Sequence, residues 1–101
     1  MGKPVLDRRI FESGRTIFEE GDEENCAYIV ESGEVEISKT INGKREILSI
    51  LNENCLFGEL ALIDSKPRMA SAKAKTTVSI IRVNKLTFQK NLKRLTVFYA
   101  A

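Results

Sequence analysis

The residues with the clearest capacity for chemistry fall in one stretch, Leu56-Phe57-Gly58-Glu59-Leu60-Ala61-Leu62-Ile63-Asp64-Ser65-Lys66-Pro67-Arg68-Met69-Ala70-Ser71-Ala72. Leu60 to Ile63 is short and unbranched, which suits a helical turn better than a strand. Pro67 stops any helix and pushes the residue before it toward an extended conformation. A helix starting after Gly58 leaves its first backbone N–H groups unpaired, and with the positive end of the helix dipole they form an anion site. Gly58, without a side chain, lets a ligand approach the backbone. Arg68 can return across the loop and aim its guanidinium at the same point, where it suits a phosphate oxygen. A second negative charge at an anion site is unhelpful, so the Glu59 carboxylate makes sense as an acceptor for hydroxyls. A ligand with one phosphate and an adjacent sugar hydroxyl satisfies both residues. The alternative is an ion pair between Glu59 and Arg68 that only fastens the loop, and local features leave both open.

The elements that must position this stretch are short strands punctuated by turns. Residues 1–9 are polar and poorly patterned, an N-terminal arm or short helix. Arg9-Ile10-Phe11 leads into a turn at Glu12-Ser13-Gly14, and Thr16-Ile17-Phe18 is a short strand before the turn Glu20 to Asn25. Ala27-Tyr28-Ile29-Val30 is a continuous apolar run, as in a strand buried on both faces. Val35, Ile37 and Ile41 fall on odd positions, a period of two. Asn42-Gly43 predicts a type I′ hairpin turn, since both central residues must tolerate positive φ. The return strand is Lys44 to Leu51, with Ile47, Ser49 and Leu51 on one face and Leu48 and Ile50 on the other. Thr76 to Val83, rich in β-branched residues, reads as the last strand. Such spacing predicts an all-β barrel or sandwich. From Lys85 onward, Leu86, Phe88, Leu92, Leu95 and Phe98 or Tyr99 fit an amphipathic helix.

Composition narrows the function classes. A chain of 101 residues fits one domain. The net charge of +2 is spread among interspersed acids and bases, with no concentrated basic face for a nucleic acid. Lys90, Lys93 and Arg94 read as a solvated helix face, and Asp22, Glu23 and Glu24 as a solvated turn. No apolar run approaches the length of a membrane span, and Met1-Gly2-Lys3-Pro4 has no signal-peptide core, so a cytoplasmic location is the expectation. Cys26 and Cys55 are far apart in sequence and read as reduced thiols at or near the core. With no histidine in the chain, histidine-based acid–base catalysis, the Ser-His-Asp triad and histidine-ligated metals are excluded. No enzyme, metal or cofactor is expected.

The string Phe57-Gly58-Glu59-Leu60-Ala61-Leu62 … Pro67-Arg68-Met69-Ala70-Ser71 resembles the phosphate-binding cassette of cyclic-nucleotide-binding domains, as in the catabolite activator protein, the regulatory subunits of cAMP-dependent protein kinase and cyclic-nucleotide-gated channels. Gly21-Asp22 and Tyr28-Ile29-Val30-Glu31-Ser32-Gly33-Glu34-Val35 look like the early strands of that family, and coverage runs from about Arg9 to about Leu92. The resemblance implies a mainly β fold. It would be an eight-stranded antiparallel β-roll, jelly-roll-like, with a short cassette helix and a C-terminal helix. On that basis the chain is one domain: arm 1–9, roll 10–84 with cassette 57–71, and C-terminal helix 85–101.

By the same resemblance Arg68 binds the exocyclic phosphate oxygens, and Glu59 accepts from the ribose 2′-hydroxyl with help from the Gly58 backbone. Backbone N–H groups of Leu60, Ala61 and Ala70 line the phosphate, and Met69 and Ser71 complete the ligand-binding stretch. Three positions depart from the family pattern. Met69 stands where a threonine or serine often supports cGMP, so cAMP is the expected ligand, with cGMP the lesser candidate. Glu24 stands where a small residue, usually glycine, is common. Family members continue into a longer C-terminal helix that caps the base, of which residues 86–99 supply only the first part. The implied function is a regulatory module in signal transduction that couples ligand binding to movement of the C-terminal helix. It would act on an effector domain or protein, and a homodimer through that helix is a further expectation. The alternative is a β-roll that serves as a structural or interaction domain and has lost its nucleotide.

Overall fold

The computed structural model describes residues 7–59 and 66–86, and the backbone of 98–99. Eight antiparallel strands form two sheets: β1 (Asp7–Phe11), β2 (Thr16–Phe18), β3 (Cys26–Ser32), β4 (Val35–Ile41), β5 (Lys44–Leu51), β6 (Cys55–Phe57), β7 (Ser71–Ala74) and β8 (Val78–Asn84). A ninth, β9 (Phe98–Tyr99), lies parallel to β6. One sheet runs β1-β8-β3-β6-β9 and the other β2-β7-β4-β5. This is the mainly β roll that the sequence predicts.

The strands form where the side-chain pattern lets both sheets bury one face. Val30, Val35, Leu56, Phe57, Val78 and Ile80 are fully buried. Phe57 packs against Tyr28 with ring centroids 5.4 Å apart and against Phe18 at 6.0 Å. Three aromatic rings from three strands therefore pack together in the core. β3 sits between β8 and β6, and its apolar run is unbroken because both faces pack: Tyr28 and Val30 enter the main core, while Ala27 and Ile29 join Leu56, Ile81 and Val83 in a second cluster. Cys26 and Cys55 are free thiols, Cys26 in the core and Cys55 partly covered.

The β4–β5 hairpin turns at Asn42 (φ 53°) and Gly43 (φ 79°), the two positive angles of a type I′ turn. Its register slips between Ile37, opposite Ser49, and Ser38, opposite Ile47, so Leu48 is an extra residue. This bulge corrects the simple alternation expected for β5. Ile47 and Leu48 are both exposed, because a bulge resets the inward–outward order. Among the described residues the outer half of the hairpin has no third strand beside it, since β7 pairs β4 only from Val35 to Ser38.

Two boundaries differ from expectation. Asp7, Arg8 and Arg9 belong to β1 and not to an N-terminal arm: they pair with Arg82, Ile81 and Ile80 at the sheet edge, where no apolar periodicity is required. The last long strand starts at Val78, because Thr76 donates its hydroxyl to the Thr77 carbonyl and accepts from the Glu34 N–H, closing a turn. At the C-terminus, Lys85 and Leu86 are helical. Phe98 and Tyr99 depart from the expected helix, since they pair with Cys55 and Leu56 as strand. The remaining residues expected to be helical near the C-terminus, including Phe88, Lys90, Leu92, Lys93, Arg94 and Leu95, lie outside the described residues, as do arm residues 1–6 and the helical turn expected at Leu60 to Ile63. No helix among the described residues is long and apolar enough to cross a membrane.

Candidate functional site

β6 ends at Phe57, and the chain leaves the sheet through Gly58, whose φ of 74° lies in the left-handed region. A Cβ on Gly58 would stand 2.5 Å from Nη1 of Arg68, so glycine is required here by conformation and by contact. The chain returns through Arg68, which is held at both ends of its peptide unit. Its N–H donates to the Asp22 carbonyl and its carbonyl accepts from the Gly21 N–H, each at 2.8 Å. The turn that receives it is closed by its own bonds, Asp22 N–H to the Glu19 carbonyl at 3.0 Å and Glu19 N–H to Asp22 Oδ2 at 2.9 Å. Gly21-Asp22 thus anchors the backbone of Arg68 and leaves the side chain to point inward.

The guanidinium is buried, with Arg68 only 5% exposed. Its Cζ lies 4.2 Å from the centroid of the Phe18 ring and 5.6 Å from that of Tyr28, a cation over the same aromatic cluster that fills the core. Nη1 donates to the Gly58 carbonyl at 2.8 Å. Nη2 donates to the Cys26 carbonyl at 2.8 Å and to Glu24 Oε1 at 2.9 Å, with Cys26 Sγ a further 3.6 Å contact. Nε is buried and has no hydrogen-bond partner among the described residues. A buried N–H without an acceptor is costly, and on an arginine it marks where a further acceptor fits. A phosphate oxygen has the charge and the geometry for it.

The arrangement corrects two readings of the sequence. Glu24 is not merely part of a solvated acidic turn: it is the carboxylate paired with Arg68, and it also accepts from the Tyr28 hydroxyl at 3.3 Å. The loop-fastening ion pair is therefore Arg68–Glu24 among the described residues, and not Arg68–Glu59. Only the Gly21-Asp22 turn, which brings Glu24 beside a residue 44 positions away, makes this visible. The one sequence signal was an acid standing where glycine is common.

Glu59 is half-buried beside Gly58. Burial raises its carboxyl above the ordinary range, while its own backbone N–H and the Arg68 charge pull the other way. A carboxylate in this state gains from a hydroxyl donor. Met69 points outward and is 60% exposed. Ala70 packs against the core, and Ser71 Oγ accepts from the Glu20 N–H at 2.9 Å. The structure thus brings Gly58 and Arg68 into contact, with Glu59 beside Gly58 and close enough to feel the Arg68 charge. Leu60 and Ala61 lie outside the described residues. The Tyr28 hydroxyl is pushed up, mainly by burial and then by its contact with Cys26.

The class that these features define is an antiparallel β-roll whose connection from the sixth to the seventh strand carries a left-handed glycine and a buried arginine. The family model for the cyclic nucleotide-binding domain matches residues 8–94. The chain belongs to this family. The cAMP-dependent protein kinase regulatory subunit of Emericella nidulans is 39% identical over 88 residues, covering 87% of this chain and 21% of that protein. The Thermus thermophilus catabolite activator protein superposes with a TM-score of 0.80 at 32% identity, over 89% of this chain and 43% of that one. The regulatory domain of Toxoplasma gondii PKA, solved with cAMP, gives a TM-score of 0.78 at 30% identity over 84% of this chain and 33% of that one. The chain therefore spans about a fifth of the length of the kinase subunit and less than half of the catabolite activator.

Proposed function

We propose that this domain binds a cyclic nucleotide, with its phosphodiester on Arg68 and the backbone N–H groups of Leu60, Ala61 and Ala70, and its ribose hydroxyl on Glu59. The observation that carries the reading is the Nε of Arg68, which has no acceptor among the described residues while the rest of the guanidinium is held by Gly58, Cys26 and Glu24. A singly charged phosphate oxygen supplies the missing acceptor and balances the buried cation. cAMP is the preferred ligand. Met69 follows Arg68 with no hydroxyl or N–H donor in its side chain, so it offers nothing to the extra polar groups of guanine.

Binding shifts the segment after β8. Arg68 donates to the Cys26 carbonyl, Cys26 pairs with Asn84, and Asn84 leads directly into Lys85. A ligand that pulls on the guanidinium acts on the strand end from which the C-terminal segment leaves. The shift is as large as the difference in ligand affinity between two positions of that segment. The effector is a domain or protein beyond these residues, and a homodimer through residues 85–101 is a further part of the proposal. Catalysis has no part in this reading.

Calorimetric titration of the purified domain tests it. cAMP should bind saturably at one site and cGMP more weakly. Arg68→Ala should lose roughly 2–5 kcal/mol of binding, the range for removing one partner of a buried charged pair. Excess cAMP at about 100 times its dissociation constant should add about 2.7 kcal/mol to folding stability. No saturable heat and no thermal shift with either nucleotide would favour a roll that keeps the fold as an interaction domain.

A further inference from the structure

Both protons of Arg68 Nη2 are committed, one to the Cys26 carbonyl at 2.8 Å and one to Glu24 Oε1 at 2.9 Å, while the neighbouring Nε has no partner among the described residues. Nε and Nη2 form the side fork of a guanidinium, the edge across which two oxygens of a phosphate are held at once. A phosphate taking that fork must replace one acceptor on Nη2. The Cys26 carbonyl belongs to β3 and is fixed by the pairing of Cys26 with Asn84. Glu24 is different. Its side chain is 32% exposed, lies in the loop before β3, and reaches Arg68 through rotatable bonds. Of the two acceptors, only the carboxylate can leave without breaking the sheet.

We infer that Glu24 is an internal competitor for the ligand phosphate: its carboxylate holds half of the Arg68 fork and yields it when a phosphate binds. This rests on the cyclic-nucleotide reading of the site. The Glu24 negative charge has two consequences of opposite sign. It stabilises the domain on its own, because it balances a buried cation. It opposes the ligand, because the phosphate must displace it and then sit near a like charge. A supporting acid that merely orients Arg68 would have both effects in the same direction, so the signs separate the two roles. Glu24 is thus an affinity-setting residue that acts through its contact with Arg68.

The test compares the parent domain with Glu24→Gln, which keeps the size and the acceptor oxygen and removes the charge. Thermal melts without nucleotide and calorimetric titrations with cAMP are run on both. The expected result is a lower melting temperature for Glu24→Gln together with cAMP affinity raised on the order of tenfold, the scale of a like charge a few ångströms away in a partly solvated site. Glu24→Asp, which retains the charge on a shorter arm, should stay closer to the parent in affinity. Equal or weaker cAMP binding by Glu24→Gln, with the parent binding well, overturns the inference and leaves the site reading intact. Absence of binding by the parent and by Glu24→Gln alike overturns the site reading and this inference with it. Should only Glu24→Gln bind, the competitor role is supported in its strongest form.

Discussion

A guanidinium is stable away from water only when its protons find acceptors and its plane finds something to stack on. Arg68 has the Phe18 ring on its face and three acceptors on its edge, and Gly58 is part of that arrangement because its carbonyl is one of the three. The tolerance at position 58 is therefore very small. Gly58→Ala should destabilise the fold by about 1–3 kcal/mol, the range for a non-glycine residue held at a left-handed φ. It should also weaken cAMP binding, because the new methyl group would stand 2.5 Å from Nη1 and push the guanidinium aside. Urea melts and a titration check both effects; a variant that melts and binds like the parent would remove the close approach from the account. At this scale the sequence was informative. Gly58, Glu59 and Arg68 stood out by type and spacing, and the structure places Arg68 against Gly58. Glu24 did not stand out, because an acid in a polar turn looks solvated until the fold delivers its partner from 44 residues downstream.

Strands in this roll are held together by polar clamps as well as by the core. Arg8 on β1 donates to both oxygens of Glu31 on β3, each at 2.7 Å, and Ser79 on β8 donates to Glu31 Oε1 at 2.6 Å. One carboxylate thus links three neighbouring strands. The hydrogen bond from Arg8, then that from Ser79, lowers the Glu31 carboxyl from 4.5 to about 2. A folded-state value below the unfolded one means that the clamp contributes fully above about pH 4.5 and is lost as the pH falls toward 2. Glu31→Gln should therefore reduce stability at neutral pH and flatten the acid limb between these values, as read by urea melts across the range. Identical acid limbs in parent and variant would show that the clamp is not formed in solution. Elements were legible where turn residues punctuated them: Gly14, Asn42-Gly43 and Ser32-Gly33 all mark real strand ends. The start of β1 was not, because Asp7-Arg8-Arg9 lies on a sheet edge and is selected for polar pairing. The bulge at Leu48 was not either, since an inserted residue leaves the composition of β5 unchanged.

Across the whole molecule, the two sheets meet over the Phe18–Tyr28–Phe57 cluster, and the site is built on the same three rings. Core and site are thus one packing problem. The short apolar strands and glycine turns of the sequence predict an all-β roll, and the cassette between β6 and β7 points to the ligand class. The register that seats Arg68 on Phe18 depends on contacts across both sheets, which no local window contains. The family match over residues 8–94 agrees with the roll seen in the described residues.

In the proposed complex the buried Nε–H of Arg68 donates to a phosphate oxygen, and the ¹⁵N–¹H signal of that group reports it directly. Addition of cAMP to the labelled domain should move the Arg68 Nε–H resonance downfield and slow its exchange with water, with Arg68→Lys used to assign the signal. A resonance that neither shifts nor gains protection at saturating cAMP would contradict the account.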